Sequence, residues 1–533
     1  MENTKKQSII LMIMCLMACV ELKASLPDSI WYDSITDIKV HFQRVDTFAK
    51  DECPMHIFGK KPDGTPKLPA LQSLIEDLSI NALVFSWDHF VARREWSNMT
   101  SRILWDNIKG GWVWDSDSFS GNQFSHPYHG GMFYNSAREH GLSYGVSLMY
   151  PIAGSLTWEL MCETNKPAIN DLISTGVGGA AIGEVFHRTS DIFFDNSKRG
   201  ASRVMREVIG SLFNPVRGLH RIVSGDMFRV NHLSAGKKEV PEPFSFRIGA
   251  GTRYINDMGD IHPQLGHRYH ENVPFFDIRF NYGNHYNKLD EGKPNRAFDY
   301  FDFYALINLT SNQPTVGEFE LLGRIGSYQK LLPHRWKIDV GFYQNIKYID
   351  HFSSKEIERP GNLSIISEAA SFGAGLYAKR HGKSVSLKNE IMLSAVPLGG
   401  SAADYYPLRR YNFGTGFSVR HRFEFVYNRH LSFGNSFYFM RLFIMKGSVP
   451  SDLNASLEDP DFYSKAMTEG INSMGDKGEH SVILNRLFAN VNLFRNLQLH
   501  MQSEFYLRHG NYRYYPSVTA KSMEWKAGLI YSL

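Results

Sequence analysis

Cysteine is scarce in this sequence, with 4 in 533 residues. Cys15 and Cys19 fall in an apolar N-terminal run, which leaves Cys53 and Cys162. Without a nearby CxxC pair these two cannot build a zinc site alone. They read as buried thiols or, in an oxidising compartment, as one bridge. An excess of one charge is missing as well. Lys and Arg number 58 against 54 Asp and Glu, which gives no surface basic enough for a nucleic-acid partner. No GxSxG elbow, Walker A loop, Rossmann fingerprint or CxxC pair stands in a supporting context. The enzyme classes with strong local signatures therefore receive no support.

Long apolar runs are also lacking. "SYGVSLMYPIAGSLTW" (Ser143 to Trp158) and "ISTGVGGAAIG" (Ile173 to Gly183) fall short of the ~20 apolar residues of a spanning helix. Pro151 interrupts the first of them. A chain like this can cross a membrane only by strands, because helices and closed barrels alone satisfy every backbone group there.

Aromatics, by contrast, are plentiful: 37 Phe, 26 Tyr and 9 Trp. That content suits a β-rich protein with interfacial girdles. The N-terminus reads as an export signal over residues 1–25. Lys5 and Lys6 form its basic part, Ile9 to Val20 its apolar core, and Ala24–Ser25 its small-residue cleavage site. Lipoprotein-type cleavage before Cys19, in "LMAC", is the alternative. Residues 26–66 read as a linker, 67–236 as a helical domain and 237–533 as a β-barrel.

The barrel expectation rests on a period of two. From Tyr411 to Tyr427 the odd positions are mostly aromatic or apolar. The even ones carry Asn412, Ser418, Arg420, Arg422 and Glu424. Leu497 to Leu507 and Met523 to Leu533 repeat the rule, with Glu504, Glu524 and Lys526 on the polar face. One apolar and one charged face suit a strand between lipid and a polar lumen. About twelve such segments are expected, starting near Phe244, Asn272, Ala297, Thr315, Trp336, Leu363, Val385, Tyr411, Leu431, Val482, Leu497 and Val518. Short connections ("RNLQ", "YNRHL", "RHGKS") alternate with long ones, as in bacterial outer-membrane barrels. The pattern weakens at Gly283 to Arg296, which is long on the short side. The fold class is thus mainly β with an N-terminal α region: an antiparallel transmembrane barrel of about 12 strands after a helical periplasmic-side domain. Lumen charges such as Arg508 read as interior filling.

In the helical region, "FSHPYHGGMFYNSAREHG" concentrates histidine and charge. His126 before Pro127 predicts an extended N-cap, and Gly141 a C-cap. Gly130 and Gly131 weaken this helix by roughly 1 kcal/mol each relative to Ala, so close packing is expected there. Downstream, Asn170 and Glu184 project within about 40° of one another on a helix wheel. A seam of Gly176, Gly179 and Gly183 runs between them, and Asp171 is expected to cap that helix. Arg217 and Arg221, one helical turn apart in "NPVRGLHR", are either solvated surface charges or an anion site. Asp88–His89 reads as an exposed helix face.

The stretches "HPYHGGMFYNSAREHG", "GSLTWELMCETNKPAINDLISTGVGGAAIGE" and "NPVRGLHR" resemble the signature of an uncharacterised domain-of-unknown-function family found in exported Gram-negative proteins. The resemblance runs from Asn122 to Arg221. It implies a family and an envelope location, and no reaction. Outside it, the barrel is similar in general terms to twelve-stranded outer-membrane proteins, a group that includes lipid A deacylases. The matching polar positions are His126, His129, Asn135, Arg138, Glu159, Asn170, Asp171, Glu184, Arg217 and Arg221.

Two functional readings follow. In the first, a monomeric outer-membrane barrel carries a helical domain that plugs the lumen or binds an envelope component. In the second, a lipid or lipopolysaccharide hydrolase uses His126, Glu159 and Glu184 as acid/base groups or metal ligands. His129, Asn135, Arg138, Asn170, Asp171, Arg217 and Arg221 would then bind the ligand. Expected partners are outer-membrane lipid and a periplasmic or lipid ligand. Cofactor and metal stay unassigned, and so does the choice between a reaction centre and a hydrogen-bonded lock of the bundle.

Overall fold

The computed structural model describes residues 67–115, 117–230, 242–259, 268–292, 296–351, 364–382, 384–406, 408–428, 430–448 and 472–533. The expected export signal, the linker 26–66 and Cys53 lie outside them. The chain divides into two compact units. One comprises Ser120–Glu242 and the residues up to Val113; the other comprises Trp114–Phe119 and Pro243–Leu533.

The second unit is a closed antiparallel barrel of twelve strands in sequence order. Its strands are β1 Phe244–Asp257, β2 His270–Tyr282, β3 Phe301–Asn308, β4 Val316–Leu332, β5 Trp336–Asp350 and β6 Ile365–His381. They continue with β7 Val385–Ala402, β8 Tyr411–Tyr427, β9 Leu431–Ile444, β10 Gly478–Phe494, β11 Leu497–Tyr512 and β12 Val518–Ser532. β1 closes the ring on β12, with Gly251 opposite Gly528 and Tyr254 opposite Trp525. Alternation sorts the side chains as the period-two pattern requires. Phe342, Leu376, Ile391, Leu393, Phe433, Met501, Trp525 and Leu529 stand exposed outside. Arg253, Glu318, Arg324, Asp339, Glu368, Arg508 and Glu524 are buried within.

Connections at one end are tight, such as Pro333–Arg335 between β4 and β5. The exception is the link from β2 to β3, which carries a short helix at Asn287–Glu291. Residues Trp114–Phe119 pack at the opposite end of this unit. Phe119 stacks between Tyr348 and Tyr411, both at 4.9 Å between ring centroids. The Tyr411 hydroxyl donates to the Asp117 carbonyl at 2.8 Å. This anchor was not legible in the sequence.

The first unit is helical. Its main elements are α1 Pro69–Ser86, α2 Ser101–Lys109, α3 His126–Glu139, α4 Met149–Met161, α5 Ile169–Ile173, α6 Gly179–Phe193, α7 Gly200–Phe213 and α8 Pro215–Ser224. Wider π-type turns continue α1 through Trp87–Val91, lead into α3 at Gly121–Ser125, and join α5 to α6 at Ser174–Gly178. The expectation of an extended His126 is corrected: its backbone is helical, at φ −64° and ψ −50°. In a regular helix the Pro127 ring would collide with the carbonyl four residues back. The wide turn just before it relieves that clash, so the helix runs through instead of starting there. Asp171 does not cap α5; Ala168 holds the N-cap position. Gly141 terminates α3 in the left-handed region at φ +84°, where glycine carries no Cβ penalty.

The two glycine runs meet at the contact of α3 with α6. A Cβ on Gly130 would fall 2.0 Å from the Thr175 carbonyl oxygen, and one on Gly179 would fall 2.6 Å from the Gly130 Cα. Any side chain at either position would drive the helices apart. Around a centre that includes buried Phe133, Ile182 and Phe194, the outer helices are inverted in polarity relative to a water-soluble bundle. On α1, Gln72, Ser73, Glu76, Asp77 and Asn81 are buried, while Leu71, Leu74, Leu78 and Leu83 are exposed. On α4, Ser155 and Glu159 are buried, while Met149, Ile152, Leu156 and Met161 are exposed. On α7 and α8 the arginines point inward, and Val204, Val208, Leu212, Leu219, Ile222 and Val223 point outward.

Candidate functional site

The polar residues singled out in the helical unit are divided among several hydrogen-bonded groups. α3 supplies Tyr134 and Arg138, and α6 supplies Glu184 and Arg188. Glu184, fully buried, accepts from the Tyr134 hydroxyl at 2.7 Å, from Arg138 Nε at 2.8 Å and from Arg188 Nε at 2.9 Å. Burial alone would push this carboxyl up; Arg138 and Arg188 outweigh it and hold the group at about 2. A carboxylate so strongly held in its ionised form is a poor general acid or base near neutral pH. Arg138 also donates to the Leu142 carbonyl at 2.7 Å, which ties the guanidinium to the end of α3.

His126 belongs to a different group. Its Nε2 lies 3.3 Å from Asp171 Oδ1. Asp171 in turn accepts from Asn170 Nδ2 at 2.9 Å, and Asn170 donates to Asn122 at 2.9 Å. Glu159 accepts the backbone N–H of Ala168 at 2.7 Å, fastening the end of α4 to the start of α5. These contacts give His126, Glu159 and Glu184 different partners, and they do not support the hydrolase reading.

His129 lies among aromatic rings, 4.5 Å from Phe133 and 5.2 Å from Trp158 between centroids. Burial, with His126 beside it, lowers its ring to about 3, so the imidazole is neutral. Its Nε2 and Asn135 Oδ1 are buried without a hydrogen bond among the described residues. Cys162 is also buried, which pushes its thiol up to about 12.

Arg217 and Arg221 are neither surface charges nor an open anion site. Arg217 pairs with Asp191 and lies 3.6 Å from Glu139. Arg221 makes a two-pronged contact with Glu207, at 2.9 and 2.7 Å. Their one-turn spacing does suit carboxylates, and the carboxylates come from this chain. Asp88 and His89 sit on the π-type turn after α1, where His89 Nδ1 meets the Ser97 carbonyl at 3.0 Å.

Sequence reasoning missed one cluster. Glu76 of α1, His140 at the end of α3 and His220 of α8 offer ligand atoms within 4.8 Å of one another. Glu76 and His220 lie 144 residues apart, and no local spacing announces their meeting. His220 Nε2 is 2.6 Å from Glu76 Oε1, while His140 Nδ1 is 2.8 Å from the Ser136 carbonyl. A carbonyl partner requires a proton on that Nδ1, which removes it as a metal ligand. The arrangement fits a hydrogen-bonded lock. Beside it, burial raises the Asp77 carboxyl well above its usual range, partly offset by the Ser136 hydroxyl.

The barrel interior carries the other concentration of charge. Arg486 on β10 reaches Glu318 at 3.0 Å and Glu320 at 3.4 Å on β4, and also contacts Glu504 on β11. In a ring of twelve strands β4 and β10 stand opposite one another, so this contact crosses the lumen. Lys526 lies 3.4 Å from Glu318, and Arg253 lies 3.0 Å from Glu524. His351, Glu504 and Glu524 form a second cluster with ligand spacing, whose carboxylates are taken up by these cations. The other lumen charges read from the sequence are paired similarly: Arg420 with Glu368, Glu424 with Lys388, and Arg508 with Asp404. Arg422 lies over the Phe488 ring at 5.2 Å. Toward the end with long connections, buried Ile349, Ile366, Val396, Met440, Leu442 and Val482 make an apolar layer inside the ring. The cavity beside Arg486 measures about 50 Å³, room for a few waters.

A closed barrel with an apolar exterior and an ionised interior is the architecture of outer-membrane strands, and this is an outer-membrane β-barrel protein with a helical region ahead of the barrel. Among the described residues no helix is long and apolar enough to cross a membrane. Among solved structures, the chain is similar to the NanC porin at 8% identity, covering 54% of this chain and all of that one, with a TM-score of 0.26. It is similar to an outer-membrane channel of Pseudomonas putida F1 at 9% identity, covering 55% and 97%, with a TM-score of 0.27. It is also similar to the outer-membrane channel DcaP of Acinetobacter baumannii at 8% identity, covering 54% and 96%, with a TM-score of 0.20. No curated protein matches the chain. Residues 111–216 match the family described as a domain of unknown function (DUF3943).

Proposed function

We propose that this is a non-enzymatic, monomeric outer-membrane protein whose barrel is an anchor closed by its own side chains, and whose helical unit binds an envelope component. We further propose that it belongs to the exported Gram-negative family with the HPxxG…WE…NDL…GE…NPxRG signature. One observation carries the reading of the barrel: Arg486 bridges opposite walls of the lumen at 3.0 Å. Buried ions persist only when paired, and removing one partner costs more than the pair contributes. The Arg486 network therefore resists being pulled open to admit solute. The helical unit supports a binding role through the apolar side chains it exposes, such as Leu78 on α1 and Val204 on α7, while ionisable groups such as Glu184 with Arg138 and Arg188 are satisfied within it.

Planar-bilayer recording of the purified full-length chain tests the barrel reading. No steady open channel is expected, and pairing Arg486→Ala with Glu318→Ala should introduce conductance. Steady conductance by the parent chain would overturn the closed-anchor reading.

A further inference from the structure

The inverted polarity of the helical unit names the envelope component, and the inference rests on the binding role just proposed for that unit. α1 and α4 pack on α3, and α7 packs on α6. Their polar stripes face this central pair, so their apolar stripes face away from it on more than one side. In water such a surface is unfavourable, and soluble proteins rarely expose large contiguous apolar patches. We propose that membrane lipid covers the helical unit, with acyl chains against the exposed leucine, isoleucine and valine side chains of α1, α4, α7 and α8.

Two further features fit lipid better than a protein partner. The first is the way the interior is satisfied. Charged groups such as Glu184, Arg188, Glu207 and Arg221 are paired inside the unit, which suits a low-dielectric surround where unpaired ions are costly. The glycine contact between α3 and α6 supplies the close backbone packing that holds helices together where water gives no drive to associate.

The second is the chemistry at and beyond the end of the helical stretch Pro69–Val91. Trp87, Phe90, Trp96 and Trp105 are exposed beside exposed Arg93, Arg94, Arg102 and Lys109. Arg94 lies over Trp96 at 5.1 Å and Lys109 over Trp105 at 4.6 Å. Tryptophan with flanking basic residues is the composition of the lipid headgroup region, where an amphipathic ring and a cation near anionic heads are both favoured. A water-facing loop has no need of four large aromatic side chains.

The experiment uses the full-length chain in phosphatidylcholine–phosphatidylglycerol vesicles whose acyl chains are either plain or brominated. Comparing the parent with Trp87→Phe, and separately with Trp105→Phe, isolates the emission of each ring. Heat-modifiable gel migration confirms that each variant retains its barrel. The expected result is that brominated chains remove most of the Trp87 and Trp105 emission while aqueous iodide leaves it in place. Quenching by iodide would place these rings in water and overturn the proposal. Protection from both quenchers would mean that protein covers the surface, and would overturn it as well. Iodide quenching would defeat the binding role together with the lipid proposal, whereas protection from both quenchers would defeat the lipid proposal alone, because the surface would still be covered; the two failures are distinguishable.

Discussion

The barrel and the helical unit arrive at the same distribution of polarity by different periodicities. In the barrel, alternation of period two sends Leu393 and Trp525 outward and Glu524 and Lys526 inward. In the helical unit, a period near 3.6 sends Leu78 and Leu83 outward and Glu76 and Asp77 inward. Both interiors bury paired ions beside apolar side chains, such as Met440 and Leu442 in the barrel and Phe133 and Ile182 in the helical unit. They differ in what holds the backbone. Strands are tied by a closed ladder of hydrogen bonds, so the barrel tolerates water near its lumen groups. The helices depend on side-chain pairing and on glycine contacts such as Gly130 with Gly179.

The largest effect is expected from breaking the cross-lumen hub. Arg486→Met leaves Glu318, Glu320 and Glu504 without their shared cation and should cost about 3–5 kcal/mol. It should be read as a fall in the temperature at which the folded gel band converts to the unfolded one. The matching break in the helical unit, Glu184→Ala, strands Arg138 and Arg188 and should cost a similar or slightly smaller amount, about 3 kcal/mol. Here the helical circular-dichroism melt should drop while the barrel's gel conversion stays put. If both move together, the two units unfold as one and the contrast fails.

Gly179→Ala comes next. Its methyl would lie 2.6 Å from the Gly130 Cα, and overpacking of this kind costs typically about 1–3 kcal/mol. The same melt should fall, whereas Gly145→Ala, at a glycine with open space around it, should leave it nearly unchanged.

The smallest effect is pH-linked. His129 is held at about 3, below its ordinary 6.5, chiefly by burial. The unfolded chain binds this proton more readily. The stability that depends on neutral His129 is therefore complete above pH 6.5 and is lost as pH falls toward 3. His129→Phe keeps a ring against Phe133 and Trp158, and should shift the acid-unfolding midpoint of the helical signal to lower pH. An unmoved midpoint would show that other groups set the acid sensitivity.

Much of the barrel was legible because its signal is local. β8 begins at Tyr411 and β11 at Leu497, as the alternation predicts. β3 begins at Phe301 and not at Ala297, because Phe298 adopts a left-handed conformation that turns the chain before the strand starts. β10 starts at Gly478, ahead of the expected Val482, because its polar first residues pair with Phe443 and Asn511 although no alternation marks them.

The helical unit was legible as helices and glycine contacts, but the direction of its polarity was not. A helical period reports that one stripe is apolar and does not say whether that stripe faces a core or the exterior. Contacts between distant residues were hidden for a related reason. Arg217 and Arg221 looked available because their partners, Asp191 and Glu207, lie on other helices. The Glu76–His220 pair is separated by 144 residues and carries no local mark.

The matched polarity of the two units is tested most directly by spin-label accessibility at one outward position in each. A nitroxide on Leu83→Cys, exposed by 65%, is compared with one on Leu393→Cys, exposed by 58%, in the full-length chain in lipid vesicles. Both should be relaxed strongly by oxygen, which concentrates in the acyl layer, and weakly by a water-soluble nickel chelate. A label at Arg102→Cys should show a larger nickel response. If Leu83 responds to nickel as Arg102 does, while Leu393 follows oxygen, only the barrel faces lipid and the shared polarity of the two units has no shared environment.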